Sequence, residues 1–182
     1  MSAAFKEWAV VCEALGSGLQ SIIIRKGGIA EGRTGFAFRH QEFVLFPTWF
    51  HEQLERTTLP PDTRVPEDPG DELEMQYSAS VEWTGLLADR AKVAALRDLH
   101  ILHDDVVEER FHYDGDDGVY VAFVRIYRLN PSLRLQNEKK YGGCRSWVEL
   151  PDLEGSALVS VISDEEHARR KERLSAILGL SF

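Results

Sequence analysis

The residues from Met75 to Thr84 alternate without interruption: Met75, Tyr77, Ala79, Val81 and Trp83 are apolar, and Gln76, Ser78, Ser80, Glu82 and Thr84 are polar. A period of two places every second side chain on one face, so this stretch has to be a long strand with one buried side. A strand of that kind needs neighbours, and the sequence supplies them. Ser21 to Ile24 is a short β-branched apolar run of the type buried on both faces. Residues 119–129 are apolar on both faces until Arg125 and Arg128, which predicts a central strand closed by Asn130-Pro131. Further strands are expected at 36–39, 42–46, 146–150 and 157–162.

Helical periodicity occupies the remaining ground. Phe5, Trp8, Ala9, Cys12 and Leu15 form one stripe if residues 3–15 are helical, with Gly16 and Gly18 ending the element. Thr48 is a natural N-cap for a short helix over 49–56 that contains His51 and Glu52. Val93, Leu96 and Leu99 mark a third helix over 89–99, and Ser163 with Glu166 forms a capping box for a last one over 164–178, stopped by Gly179. The expected fold is α+β: a mainly antiparallel, strongly curved sheet or small open barrel of six or seven strands, packed by the first, third and last helices.

At 182 residues and 43% hydrophobic composition the chain suits one domain spanning 1–182. Residues 57–72 hold four of the seven prolines and five acidic residues, which reads as a loop and as the stretch most prone to disorder. No apolar run is long enough to cross a membrane, and Lys6, Glu7 and Glu13 occupy the place where a signal peptide needs an apolar core, so a cytoplasmic protein without membrane contact is expected. Cys12 and Cys144 lack paired spacing and read as free thiols, Cys144 as a partly buried structural residue.

The net charge of -9 is unevenly distributed. Basic and acidic residues number 6 and 6 over 1–56, 5 and 16 over 57–118, 6 and 2 over 119–150, and 4 and 6 over 151–182. A uniformly acidic protein repels a phosphate backbone, whereas this one can still assemble a basic surface from its first and third segments. Arg25 and Lys26 precede Gly27-Gly28, which reads first as a hairpin turn and secondly as an anion site formed by unshielded amides. The stretch 136–145 combines Lys139, Lys140, Tyr141, Gly142, Gly143 and Arg145 ahead of a strand, and reads equally as a charged hairpin loop or as an anion-binding loop. With Arg39 and His51, these residues form the candidate binding set.

Motifs for chemistry are absent. There is no nucleophile elbow, Walker loop, dinucleotide fingerprint or His-Glu-x-x-His, so neither catalytic residues nor a cofactor or metal is assigned. Asp104, Asp105, Glu108 and Glu109 read as a solvated acidic helix end, and residues 114–118 as a hairpin turn resembling only the start of an EF-hand loop.

Two resemblances add to this reading. The run from Lys6 to Glu31, the Phe-x-Leu-Phe-Pro-Thr-x-x-His pattern at 43–51 and Tyr-Gly-Gly-Cys-Arg-Ser-Trp at 141–147 resemble a bacterial domain-of-unknown-function family, number eighteen-oh-two in that series. That resemblance implies an association with restriction endonuclease modules. The chain is more distantly similar to the ASCH and PUA-like group of small β-barrels, which handle RNA or modified bases. In the place of that group's small-Gly-x-Lys-x-x-Glu-x-Arg motif stand Ser17 to Arg25, with Gln20 for the basic residue and Ile23 or Ile24 for the acidic one. Three functions follow as expectations. The first is a non-enzymatic module recognising RNA or DNA through Arg25, Lys26, Arg39, Lys139, Lys140 and Arg145, with Tyr141 or Trp147 for stacking. The second is a phosphate-handling hydrolase or base-modifying enzyme using His51, Glu52 and Cys144. The third is a protein-interaction subunit using the acidic middle and the last helix.

Overall fold

A computed structural model describes residues 2–26, 36–151 and 156–180. Gly27 and Gly28, and the hairpin expected there, lie outside the described residues. Seven strands form one open sheet in the order β2-β5-β4-β3-β1-β6, with β7 also on β5. They are β1 (Ser2–Trp8), β2 (Ile22–Arg25), β3 (Glu42–Thr48), β4 (Glu72–Leu87), β5 (Val119–Gln136), β6 (Trp147–Leu150) and β7 (Ala157–Ser160). Four α-helices accompany them: α1 (Ala9–Gly16), α2 (Arg90–Ala94), α3 (Asp104–His112) and α4 (Asp164–Leu178). The expected α+β class and mainly antiparallel sheet are present. Among the described residues the one parallel pair is β1 with β3, Phe5 opposite Leu45.

The alternating stretch lies within β4, whose burial alternates from Leu73 through Ala79. Its antiparallel partner β5 runs its whole length, from Leu87 opposite Val119 to Glu72 opposite Gln136. The other edge of β5 is shared by two short strands: β2 pairs residues 120–123 and β7 pairs residues 127–130. Ile22 faces Phe123 and Ile24 faces Val121 across the ladder, all within the main core. Burying each such side chain contributes roughly 1.5–3 kcal/mol.

Several expectations are corrected. Residues 2–8 are a strand, and helix begins only at Ala9. The same residues carry an alternation, Ala3, Phe5 and Glu7 against Ala4 and Lys6. Pairing with β3 on one side and β6 on the other outweighs a helical stripe that could have covered only one face. Asn130-Pro131 does not stop β5: after a register shift between Tyr77 and Met75 the ladder with β4 resumes at Leu133 and runs to Gln136. Residues 36–40 have no regular secondary structure and do not join the sheet, residues 51–56 are turns and not a helix, and residues 113–118 link α3 to β5 through a 3-10 turn and not a hairpin. The third expected helix is short: α2 is capped by the Asp89 carboxylate, which accepts from the Ala91 and Lys92 amides, and a 3-10 turn follows at Arg97–Leu99. The proline-rich loop lies along the body, with Thr57 bridged to Leu102 and the Trp49 indole donating to the Pro66 carbonyl at 3.0 Å. α4 has its predicted bounds and its Ser163 cap.

Candidate nucleic-acid interface

The end of β1 carries three different side chains in succession, and the alternation of a strand sends them to different surroundings. Lys6 extends over the Phe46 ring and donates to the Gly143 carbonyl at 3.1 Å, while its backbone amide donates to the Ser146 carbonyl at 2.8 Å. Burial and the Arg145 charge lower its pKa from the ordinary lysine range. Glu7 points the other way and is 1% exposed. Its Oε1 accepts from the Trp8 amide at 2.9 Å and stands 3.8 Å from both Arg25 and Arg110. Its Oε2 has no hydrogen-bond partner among the described residues. Trp8 lies under the Arg110 guanidinium, 4.9 Å from the ring centre, and edge-on to the exposed Phe50 at 4.9 Å.

Arg110 arrives from α3 and donates to the Ile24 carbonyl at the end of β2. Burial lowers its pKa to about 10, so it keeps its proton at neutral pH. Arg56 adds a further guanidinium 6.0 Å from the Trp8 ring and pairs with Glu109. Arg25, the last residue of β2, reaches the Ser146 hydroxyl at 3.3 Å. The cation of the first basic segment thus meets the loop of the third, with Lys6 on the same loop. Arg25 and Arg110 stand about a single buried carboxylate, Glu7, with Arg56 beside Arg110 at the Trp8 ring.

The expected binding residues divide. Arg25 and Arg145 join this region, Arg145 through a 3.1 Å bond to the Lys140 carbonyl and its charge on Lys6. Lys139 and Lys140 are exposed on a 3-10 turn, with Lys140 paired to Glu138 at 2.6 Å. Lys26 is drawn away, donating to the Asp116 and Gly118 carbonyls. Arg39 is exposed ahead of β3, and His51 is exposed on its turn. Gly143 has φ +82 with open space around it, so it needs glycine's freedom. The Gly142 amide is already engaged, donating to the Lys139 carbonyl at 3.0 Å. Cys144 is exposed, not partly buried, and Cys12 is buried, both as free thiols.

The stacking residues are corrected. Tyr141 is buried against Phe46, and Trp147 is held among Phe5, Phe38 and Phe43 with its indole donating to the Ala37 carbonyl. The aromatic pair beside the cations is Trp8 with the exposed Phe50, and the sequence hides it because Trp8 completes a helical stripe equally well. His51 and Glu52 lie on one exposed turn and Cys144 on another loop, with no hydrogen bond between them. The acidic residues of α3 are tied up individually: Asp104 with Arg97, Glu108 with Arg90 and Glu109 with Arg56.

Against known proteins, the family model for the domain of unknown function DUF1802 matches residues 4–173, from β1 into α4. The chain belongs to that family. No curated protein matches its sequence. Among solved structures, the crystal structure of ASCH from Zymomonas mobilis is similar, with a TM-score of 0.53, 10% identity, and coverage of 86% of this chain and 96% of that one. A serine-to-alanine mutant of the ASCH protein from the same organism is 11% identical over 94% of each chain, with a TM-score of 0.49. The domain therefore has an ASCH-like, PUA-like fold. Where the ASCH motif places its basic residue, Gln20 is buried, donating to the Ile22 carbonyl at 2.9 Å and accepting from the Ile101 amide at 3.1 Å. Ile23 and Ile24 are core residues. No helix among the described residues is long and apolar enough to cross a membrane.

Proposed function

We propose that the domain is a non-enzymatic module that binds single-stranded RNA or DNA along the surface made by Arg25, Lys6 and the loop 139–146, beside Trp8 and Phe50. The observation that carries this reading is the meeting of two basic segments, about 120 residues apart in the chain, at Ser146: Arg25 bonds its hydroxyl and Lys6 bonds the loop that precedes it. Cations that track a backbone next to aromatic faces are what a single strand requires, because phosphates supply affinity and bases stack without sequence demand. The likeness to the ASCH and PUA-like group, whose members handle RNA or modified bases, points the same way. Such a module would act in the cytoplasm as an accessory to a restriction-modification or other nucleic-acid-processing system.

The test is fluorescence anisotropy with a labelled single-stranded oligonucleotide at low and high salt. Replacing Lys139, Lys140 and Arg145 with Ala should leave the melting temperature unchanged and weaken binding. The slope of log K against log salt should flatten by about two, since each phosphate contact on a single strand contributes about 0.7. A wild-type protein that binds nothing at low salt, or a triple variant that binds as well as wild type, refutes the proposal. It would then favour a protein-interaction subunit using the acidic residues of 57–118.

A further inference from the structure

The sheet carries a second feature that the cationic surface does not use. Strand register places Val44, Ser78 and Tyr127 in one row, and Glu42 beside Ser80 in the next row on the same face. Over these rows opens a cavity of ≈ 420 Å³, within the range that holds small ligands. Its walls are mixed in a particular way. Val44, Leu129 and Leu158 supply flat apolar contact, and the Ser78 hydroxyl is buried without a hydrogen-bond partner among the described residues. Glu42 stands at its edge, exposed, and an ionised carboxylate only accepts hydrogen bonds. The cavity is not isolated. Ser2, Ala3 and His40 line both it and a neighbouring groove of ≈ 690 Å³ that contains Lys140 and Arg145.

We propose that this cavity receives a single nucleobase bearing an exocyclic amino group, with its phosphate in the Lys140 and Arg145 groove; the inference rests on the nucleic-acid reading above and names the base it selects. The chemistry of the two spaces sets the ligand. Cations in the adjoining groove call for phosphate, an apolar wall calls for a planar ring, and an acceptor-only carboxylate beside the shared Ser2 and His40 wall calls for N–H groups. Glu42 accepts from the amino group of cytosine and is repelled by the carbonyl oxygen that uracil carries at the same position. A turn of the Ser78 side chain about χ1 would bring its covered, unpartnered hydroxyl to a ring nitrogen or carbonyl, which removes the cost of leaving it buried and unbonded.

The experiment compares labelled oligocytidine and oligouridine of equal length by anisotropy at one salt concentration, and titrates cytidine monophosphate while following backbone amide shifts. Wild type should prefer oligocytidine by about tenfold, the discrimination expected of one good polar contact. Glu42→Gln, on the exposed edge, should bring the ratio near one, weakening oligocytidine binding and relieving the repulsion of oligouridine. Ser78→Leu fills the cavity and should reduce oligocytidine binding to the oligouridine level, with the melting temperature confirming the fold. Cytidine monophosphate should shift the amides of Ser78, Ser80 and Tyr127. Equal binding of the two homopolymers by wild type overturns the pocket and leaves the nucleic-acid reading standing. Binding of neither homopolymer at low salt overturns the nucleic-acid reading, and the pocket falls with it if the monophosphate also leaves those amides unmoved.

Discussion

Glu7→Gln isolates the charge of the buried carboxylate from its shape. Glutamine keeps an oxygen to accept from the Trp8 amide, so the backbone contact survives. What it removes is the negative charge 3.8 Å from both Arg25 and Arg110. At that separation and an effective dielectric constant of about 20, each pair is worth about 4 kcal/mol before solvation. The guanidiniums keep partial compensation from the Ile24 carbonyl and the Ser146 hydroxyl, and their side chains are 13% and 20% exposed. A loss of about 3 kcal/mol is therefore expected, at the low end for breaking a buried ion pair. For a chain of this length that corresponds to a fall of roughly 6–12 °C in Tm. Thermal and urea unfolding of wild type, Glu7→Gln, Arg110→Met and the double variant close a thermodynamic cycle. The double variant should recover at least about 1 kcal/mol relative to the sum of the singles. A Glu7→Gln protein melting within about 2 °C of wild type, or a cycle coupling near zero, would refute the claim that Glu7 holds the cations in place.

Two further outcomes follow from buried positions elsewhere. Burial, with Arg110 and Arg97 nearby, lowers the His100 pKa to about 4, below its unfolded value of 6.5, so its contribution is complete above pH 6.5 and is lost as pH falls toward 4. Stability at pH 5 should lie about 2 kcal/mol below that at pH 7 from this group alone. Urea titrations at both pH values check this: His100→Asn should flatten the difference, and an unchanged difference would count against it. Gly16 ends α1 with its α-carbon against the buried Tyr77 ring, and a methyl group there would fall well inside contact distance. Gly16→Ala should cost about 2 kcal/mol in urea unfolding by overpacking, whereas the gain of up to about 1 kcal/mol that alanine brings to an open helical position would show that the ring yields.

Local patterns account for much of the architecture. The alternation at 75–84 predicts β4, the β-branched run at 22–24 predicts β2, and the capping box at Ser163 predicts α4 to its observed ends, because each feature is decided by residues within a few positions of one another. The core of Ile22, Ile24, Val121 and Phe123 is legible for the same reason, and Trp147 packs against it. The site was half legible. Lysines, arginines and Gly143 mark the loop 139–145, but nothing local says that Arg25 reaches Ser146 or that Lys26 bonds residues 116 and 118 instead.

What only the tertiary structure decides is the state of residues 2–8. Their apolar positions satisfy a helix and a strand almost equally, and the choice falls to β3 and β6, about 40 and 145 residues away, whose backbone groups pair with both edges of β1. That choice turns Glu7 inward and brings Trp8 to Arg110 and Phe50. The sequence by itself determines which residues must be buried and which turns and caps are possible. The partners of a strand are set by contacts between segments distant in the chain, whose energies no local window contains.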